Sequence, residues 1–381
     1  MKVIVLSDLD PRGSGFSSII IPLITGLVNR GYDQIKVVGL GYDGSEHNHP
    51  FSILPAKNFQ EVFAMLQNLY GMMQFDILVV ALDIPLQEQI LFQLDNRPFK
   101  YVGIMPVEAD PLCVTWAMAL MRMDKVFIIS EFGTQEAKKV GIQAEHIQVG
   151  IDTDFWRKPG LDEYKKIRQS LFGIEDNTFA VLTVADNQER KNLSRSMEIF
   201  AGFSKEIPNS KYVLVTREHQ MVGWRLRDYA QLLGIGEKLM IFERGMPLKD
   251  LWATYAGSDA FLLTSKAEGL CVPVLEAMAV GLPVVVTKCT ALEELASGRG
   301  WMIPHEHESD PENTYVDPFG DGHRYFANKQ KGIQLLLDAY YYSLSSTDTM
   351  DIARRYAERR DWNVAIDQLD KALKELGPVG G

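Results

Sequence analysis

Short, uninterrupted apolar runs alternate with longer amphipathic stretches along most of this chain. In the first half the runs fall at residues 3–7, 36–40, 77–81, 101–105 and 126–130. Apolar residues in succession, rather than alternating with polar ones, predict strands covered on both faces, the habit of parallel sheets flanked by helices. A second series follows at 179–184, 211–216, 239–242, 260–264, 284–287 and 301–303. The pattern therefore predicts an α/β protein with two Rossmann-like, doubly wound parallel sheets, each open to ligand at the carboxyl ends of its strands. Three segments follow: a first domain over 1–155, a second over 156–349 with the join near 156–160, and a C-terminal helix over 350–376. Residues 304–322, with their prolines, glycines and acidic side chains, read as a long exposed loop.

The densest chemistry lies at 259–286. Asp259-Ala-Phe-Leu-Leu-Thr264 reads as a buried strand, Pro273 suits a first helical turn, Gly281 suits the helix end, and Val284-Val-Val286 reads as the next strand. That frame puts Glu268 in a loop and Glu276 about one turn into a helix. The N–H groups of Gly269, Leu270, Cys271 and Val272, at the start of that helix, form an anion site suited to a diphosphate.

With Glu268-Gly269, a short loop, and then Glu276-Ala-Met-Ala-Val-Gly281-Leu-Pro-Val-Val, the chain resembles the retaining glycosyltransferases of family 4, which have the GT-B fold. Gly150-Ile-Asp152-Thr-Asp154-Phe155 resembles that family's interdomain link, and Arg360-Asp-Trp362-Asn-Val-Ala365 its last helix. The resemblance implies two Rossmann-like domains with an interdomain cleft and a final helix packing back towards the N-terminal domain. It implies that Glu268 contacts the donor sugar's hydroxyls and Glu276 the ribose hydroxyls. Lys191-Asn192 matches the family's phosphate-binding Lys-Asn, assigning Lys191 to the diphosphate. The Gly-Arg that usually precedes it is absent, with Ala185-Asp186 in its place. Arg190 is then either a second phosphate cation or a side chain pointing to solvent. Gly13 and Gly15, in the loop between the first strand and the helix at 17–29, correspond to a loop closing over phosphates and acceptor, with Arg12 beside them. Glu108 and Asp110 follow the strand at 101–105, where many relatives carry an acceptor-side histidine; Asp110-Pro111 equally fits a helix N-cap.

The implied activity is transfer of a sugar from a nucleoside diphosphate sugar to a hydroxyl acceptor with retention, without metal and without a cofactor beyond the donor. No residue stands out as a covalent nucleophile, in keeping with the front-face mechanism usually proposed for the family. The competing readings are a catalytically silent GT-B binding module and a nucleotide-sugar epimerase of the same fold. Asp8-Leu-Asp10 and Asp152-Thr-Asp154 have a metal-binding spacing, but one ends a strand and the other lies in the linker pattern.

Composition narrows the partners. The 381 residues carry a net charge of −11. Residues 1–155 hold 11 Lys and Arg against 18 Asp and Glu, a net of −7, and the remainder 28 against 32, a net of −4. An acidic first half argues against nucleic acid and against docking on anionic lipid. Arg157, Lys158, Lys165, Lys166 and Arg168 read as a solvated helix face. Cys113, Cys271 and Cys289 are too few and too scattered for a disulfide framework or zinc cluster, which with the absence of a leader-like start predicts a cytoplasmic address. Trp116, Met118, Met121 and Met123 read as a core-facing helix.

Overall fold

A computed structural model describes residues 1–219, 223–306, 315–316, 322–345 and 351–378. The chain divides into two compact units, residues 1–150 with 360–381, and residues 151–359. The first unit holds β1 (Val3–Asp8), β2 (Ile35–Leu40), β3 (Ile53–Ala56), β4 (Ile77–Ala81), β5 (Lys100–Met105), β6 (Lys125–Ile128) and β7 (Ala144–His146). All pair in parallel, in the order β3-β2-β1-β4-β5-β6-β7. Between them run α1 (Ser17–Asn29), α2 (Phe59–Met73), α3 (Ile84–Gln93), α4 (Val114–Leu120) and α5 (Glu131–Lys139). Ile4, Leu6, Leu78 and Val80 join one apolar cluster, and Met105, Val107, Leu120 and Ile128 a second. By register both clusters lie on one face of the sheet; Val5, Val79, Ile104 and Phe127, on the other face, are buried as well, as the unbroken apolar runs require.

The second unit repeats the scheme. Strands β8 (Phe179–Val184), β9 (Ser210–Thr216), β10 (Leu239–Glu243), β11 (Ala260–Leu263), β12 (Val284–Thr287) and β13 (Trp301–Ile303) form a parallel sheet in the order β10-β9-β8-β11-β12-β13. Its helices are α6 (Leu161–Ile167), α7 (Leu193–Glu206), α8 (Leu226–Leu232), α9 (Leu248–Ala256), α10 (Val272–Val280), α11 (Thr290–Ala296), α12 (Lys329–Ser345) and α13 (Asp351–Glu358). Strand order reverses between β8 and β11, and their carboxyl ends mark the crevice where this architecture receives ligands.

The predicted tail is two helices rather than one. On α13, Arg354 Nη1 donates to Ala279 O of α10 at 3.1 Å, so this helix belongs to the second unit. The chain then enters the first unit, where Arg360 Nε donates to Val149 O at 2.9 Å and α14 (Trp362–Leu376) packs on α1. The division of the chain falls between Gly150 and Ile151, within the linker motif rather than after residue 155.

Three local expectations need correction. Met118 and Met121 are 61% and 64% exposed, because α4 turns the small face of Ala117, Ala119 and Leu120 inward. Asp110 caps no helix: α4 starts at Val114 with Cys113 as its N-cap. Arg168 is wholly buried, its guanidinium donating to Gly257 O at 2.9 Å and to Thr178 O, and paired with Asp259 at 2.9 Å, so it is structural cement rather than part of a solvated face. Of the loop expected at 304–322, residues 307–314 and 317–321 lie outside the described residues. Among the described residues no helix is long and apolar enough to cross a membrane.

Candidate active site

The carboxyl edge of the second sheet gathers most of the residues singled out by sequence. The loop after β8 carries Arg190 and Lys191 in a short 3₁₀ turn, and the loop after β11 carries Glu268. Lys191 Nζ donates to Glu268 Oε1 at 2.7 Å, and Arg190 Nη1 to Glu268 Oε2 at 3.2 Å and to Ala267 O at 2.7 Å. Arg190 is therefore turned into the site and not to solvent. Backbone bonds stitch the two loops together: Lys266 N donates to Arg190 O at 2.8 Å, and Thr264 Oγ1 to Asn192 O at 2.8 Å. At the start of α11 stands Thr290, whose hydroxyl accepts from Glu268 N at 2.8 Å and donates to Glu268 O at 2.9 Å. Burial opposes the charge on Glu268, but Lys191 and Arg190 overcome it and hold the carboxyl at about 2. It is a buried, permanently ionised acceptor at neutral pH.

Glu276 is buried on α10 and accepts from Tyr255 Oη at 2.6 Å. Here burial prevails over that hydrogen bond and over the charge of Arg244, pushing the carboxyl up to about 7. Pro273 stands in the first turn of α10 and Gly281 ends the helix with φ 90°, a conformation that suits glycine. Cys271, the N-cap, has φ 80°, and the loop of Gly269 and Leu270 leads into it. The N–H groups of Cys271 and Val272 therefore lie at a helix start, where no intrahelical acceptor is within reach.

Strain and unsatisfied polarity concentrate here too. Of the four non-glycine residues with positive φ among the described residues, three lie in these loops: Asn192 (52°), Cys271 (80°) and Thr290 (42°). Such conformations cost energy and persist where surrounding structure holds them, commonly at ligand sites. Asn192 Nδ2, Thr216 Oγ1 and Thr287 Oγ1 are buried and make no hydrogen bond among the described residues. All three stand at the carboxyl edge of the sheet, where a polar ligand would satisfy them.

Sequence reasoning missed one group. Asp186, buried just beyond β8, holds Arg217, which follows β9, through Nε–Oδ1 at 2.8 Å and a second bond to Oδ2. It also holds Arg244, which follows β10, with Nη1 2.6 Å from Oδ2. Neighbouring strands thus deliver two arginines, besides Arg190, near the β8 loop. The hint in the sequence was that Arg217 immediately follows one predicted strand and Arg244 stands two residues beyond the end of another.

In the first unit, Gly13 closes a turn with φ 108°, its N–H donating to Asp10 O at 3.0 Å, and space is open at Gly15 for a Cβ. Arg12 forks onto Asp10, Nε to Oδ1 at 3.0 Å and Nη2 to Oδ2 at 2.6 Å, and is largely exposed. Glu108 is half-buried in the loop after β5. The Asp-x-Asp pairs serve as turn acceptors: Asp8 Oδ1 takes Asp10 N, and Asp152 Oδ1 takes Asp154 N and Phe155 N, each at 3.1 Å.

Residues 165–308 match the family described as glycosyl transferases group 1. Over 207 residues the chain is 26% identical to the GDP-mannose-dependent α-(1-6)-phosphatidylinositol monomannoside mannosyltransferase of Mycolicibacterium smegmatis, a match covering 52% of this chain. The chain spans about half the length of that relative, 53%. Among solved structures, it is similar to sucrose-phosphate synthase of Thermosynechococcus elongatus, with TM-score 0.77, 14% identity and 99% of each chain covered. It is also similar to HepE of Anabaena in complex with UDP-glucose, with TM-score 0.75, 16% identity, and 98% of this chain and all of that one covered. WaaG, a glycosyltransferase involved in lipopolysaccharide biosynthesis, aligns over the full length of both chains with TM-score 0.70 and 16% identity.

Proposed function

Since the second unit carries a group 1 glycosyl transferase domain and the chain has the GT-B fold, we propose that it moves a sugar from a nucleoside diphosphate sugar to a hydroxyl acceptor, with retention of configuration and without a metal ion. The observation that carries this reading is Glu268, buried and ionised between Lys191 and Arg190, beside the start of α10. A fixed carboxylate accepts hydrogen bonds from sugar hydroxyls. The adjacent cations and the N–H groups of residues 269–272 stabilise the diphosphate as the glycosidic bond breaks. Glu276, once ionised, accepts from the ribose diol. In this reading Glu108, Gly13, Gly15 and Arg12 belong to the acceptor side and the phosphate loop. The mannosyltransferase's GDP-mannose and HepE's UDP-glucose make guanosine and uridine diphosphate sugars the first donors to test.

Donor hydrolysis followed by proton NMR in excess EDTA tests the reading. Turnover should persist in the chelator, the sugar should leave with the donor's anomeric configuration, and Lys191→Ala should lower kcat by roughly a hundredfold or more, the scale set by losing one stabilising group. Loss of turnover in EDTA with rescue by Mn²⁺, or release of the opposite anomer, would contradict it.

A further inference from the structure

We propose that the groove along α8 is a saccharide-binding subsite in which Trp224 stacks on a sugar ring; it names the acceptor class of the transferase proposed above and rests on that reading for its role. The groove, about 530 Å³ in volume, lies within the second unit, between the β8 loop and α8. Its walls include Glu189, Trp224, Arg225, Asp228, Tyr229 and Leu232. Trp224 is 42% exposed, and an indole left in water contributes little to folding. Its backbone is nonetheless held at both polar groups. Asn187, wholly buried, accepts from Trp224 N at 2.8 Å and donates through Nδ2 to Trp224 O at 2.9 Å and to Glu218 O at 3.1 Å. Gly223 lets that clamp close: a Cβ there would stand 2.5 Å from Asn187 Nδ2 and 2.9 Å from Asn187 O. A large ring presented at the surface from a fixed backbone is preorganised for a ligand, because little ordering is left to be done on binding.

The polar groups of the walls choose the ligand. Arg225 Nη2 lies 2.7 Å from Asp228 Oδ2, and Glu189 is paired with Lys266. Each of these carboxylates has its cation, so the groove offers no net charge to an ionic ligand. A neutral molecule with a flat C–H face and hydroxyls around its rim fits it. The face lies on the indole, while the hydroxyls donate to Asp228 and Glu189 and accept from Arg225. Tyr229 stands beside the indole, the ring centroids 5.6 Å apart and the planes at 40°, with its Oη donating to Glu198 Oε1 at 2.6 Å. Glu189 precedes Arg190 and Lys191 in the same short turn, and Leu232 ends α8. The groove therefore runs from the proposed donor loop to the far end of that helix, a path for an acceptor of more than one sugar.

An array of neutral glucan, mannan, galactan and chitin oligosaccharides, probed with the full chain in the absence of nucleotide and followed by calorimetric titration of the best-bound glycan, tests the assignment. The wild type should bind at least one of them. Trp224→Ala should raise its Kd at least tenfold, and Trp224→Phe, which keeps a flat ring, should raise it less. In both variants the Kd for the best-bound of UDP, GDP and ADP should stay within twofold of wild type. Trp224 is partly exposed, so the variants should fold; should Trp224→Ala melt early, Asp228→Ala, at an exposed position, should show the same selective loss. No glycan bound by the wild type, equal glycan affinity in wild type and Trp224→Ala, or a matching loss of nucleotide affinity overturns the proposal. Glycan binding by a wild type that takes none of the three nucleotides supports the groove and sinks the donor-site reading instead.

Discussion

Glu268 and Glu276 stand eight positions apart and titrate in opposite directions. From an ordinary value of 4.5, cations hold Glu268 at about 2, while burial raises Glu276 to about 7. The depressed group contributes stability that is present above pH 4.5 and lost as pH falls towards 2. The raised group favours the fold below pH 4.5 and loses that contribution as pH rises towards 7. Each span is worth about 3 kcal/mol as an order of magnitude. Denaturant unfolding across pH should therefore show Glu276→Gln flattening the fall between 4.5 and 7, and Glu268→Gln flattening the acid fall below 4.5; the same change in both variants would refute the assignment. A ribose diol needs the ionised form of Glu276, so nucleotide affinity should climb between pH 5 and 7 in the wild type and stay flat in Glu276→Gln. These two residues and Lys191 were legible in the sequence because each lies inside a short contiguous motif. Arg217 and Arg244 were not: they meet Asp186 only through the pairing of β8, β9 and β10, which no local spacing encodes.

At the scale of elements, the central strands were readable, as were the edge strands β10 and β13 of the second sheet, while both edge strands of the first were not. Residues 77–81, 179–184 and 284–287 are unbroken apolar runs and became β4, β8 and β12 at those bounds. The missed strands, β3 and β7, both lie at edges of their sheet. Pro55 interrupts β3, tolerable where a strand has one neighbour, and β7 is three residues containing Glu145 and His146. The helix ends show the same logic in glycine. Gly150 leaves no room for a side chain: a Cβ there would stand 2.6 Å from the Trp362 ring and 2.7 Å from its backbone N. Gly150→Ala should thus push the start of α14 away and cost about 1–3 kcal/mol, the usual scale of overpacking. Thermal unfolding with hydrogen exchange would place the loosening in α14 and α1, whereas an unchanged melting curve would show that the contact relaxes freely.

For the molecule as a whole, two parallel sheets of one design carry different chemistry. The first unit is built from residues 1–150 and the returning 360–381 and contains the acidic half of the chain. The second unit, residues 151–359, holds the paired cations, Glu268 held ionised by them, Glu276 raised by burial, and the strained residues at its switch point. The solved structures, at 14% and 16% identity, share the fold. We propose that the carboxyl edge of the second sheet is a nucleoside diphosphate site. Thermal unfolding of the wild-type chain with UDP, GDP and ADP in parallel tests it most directly. A ligand that binds only the folded state, at about a hundredfold above its Kd, should stabilise the second unit by roughly 2.7 kcal/mol, raising its melting temperature for at least one of the three. No shift with any of them at millimolar concentration would contradict the account.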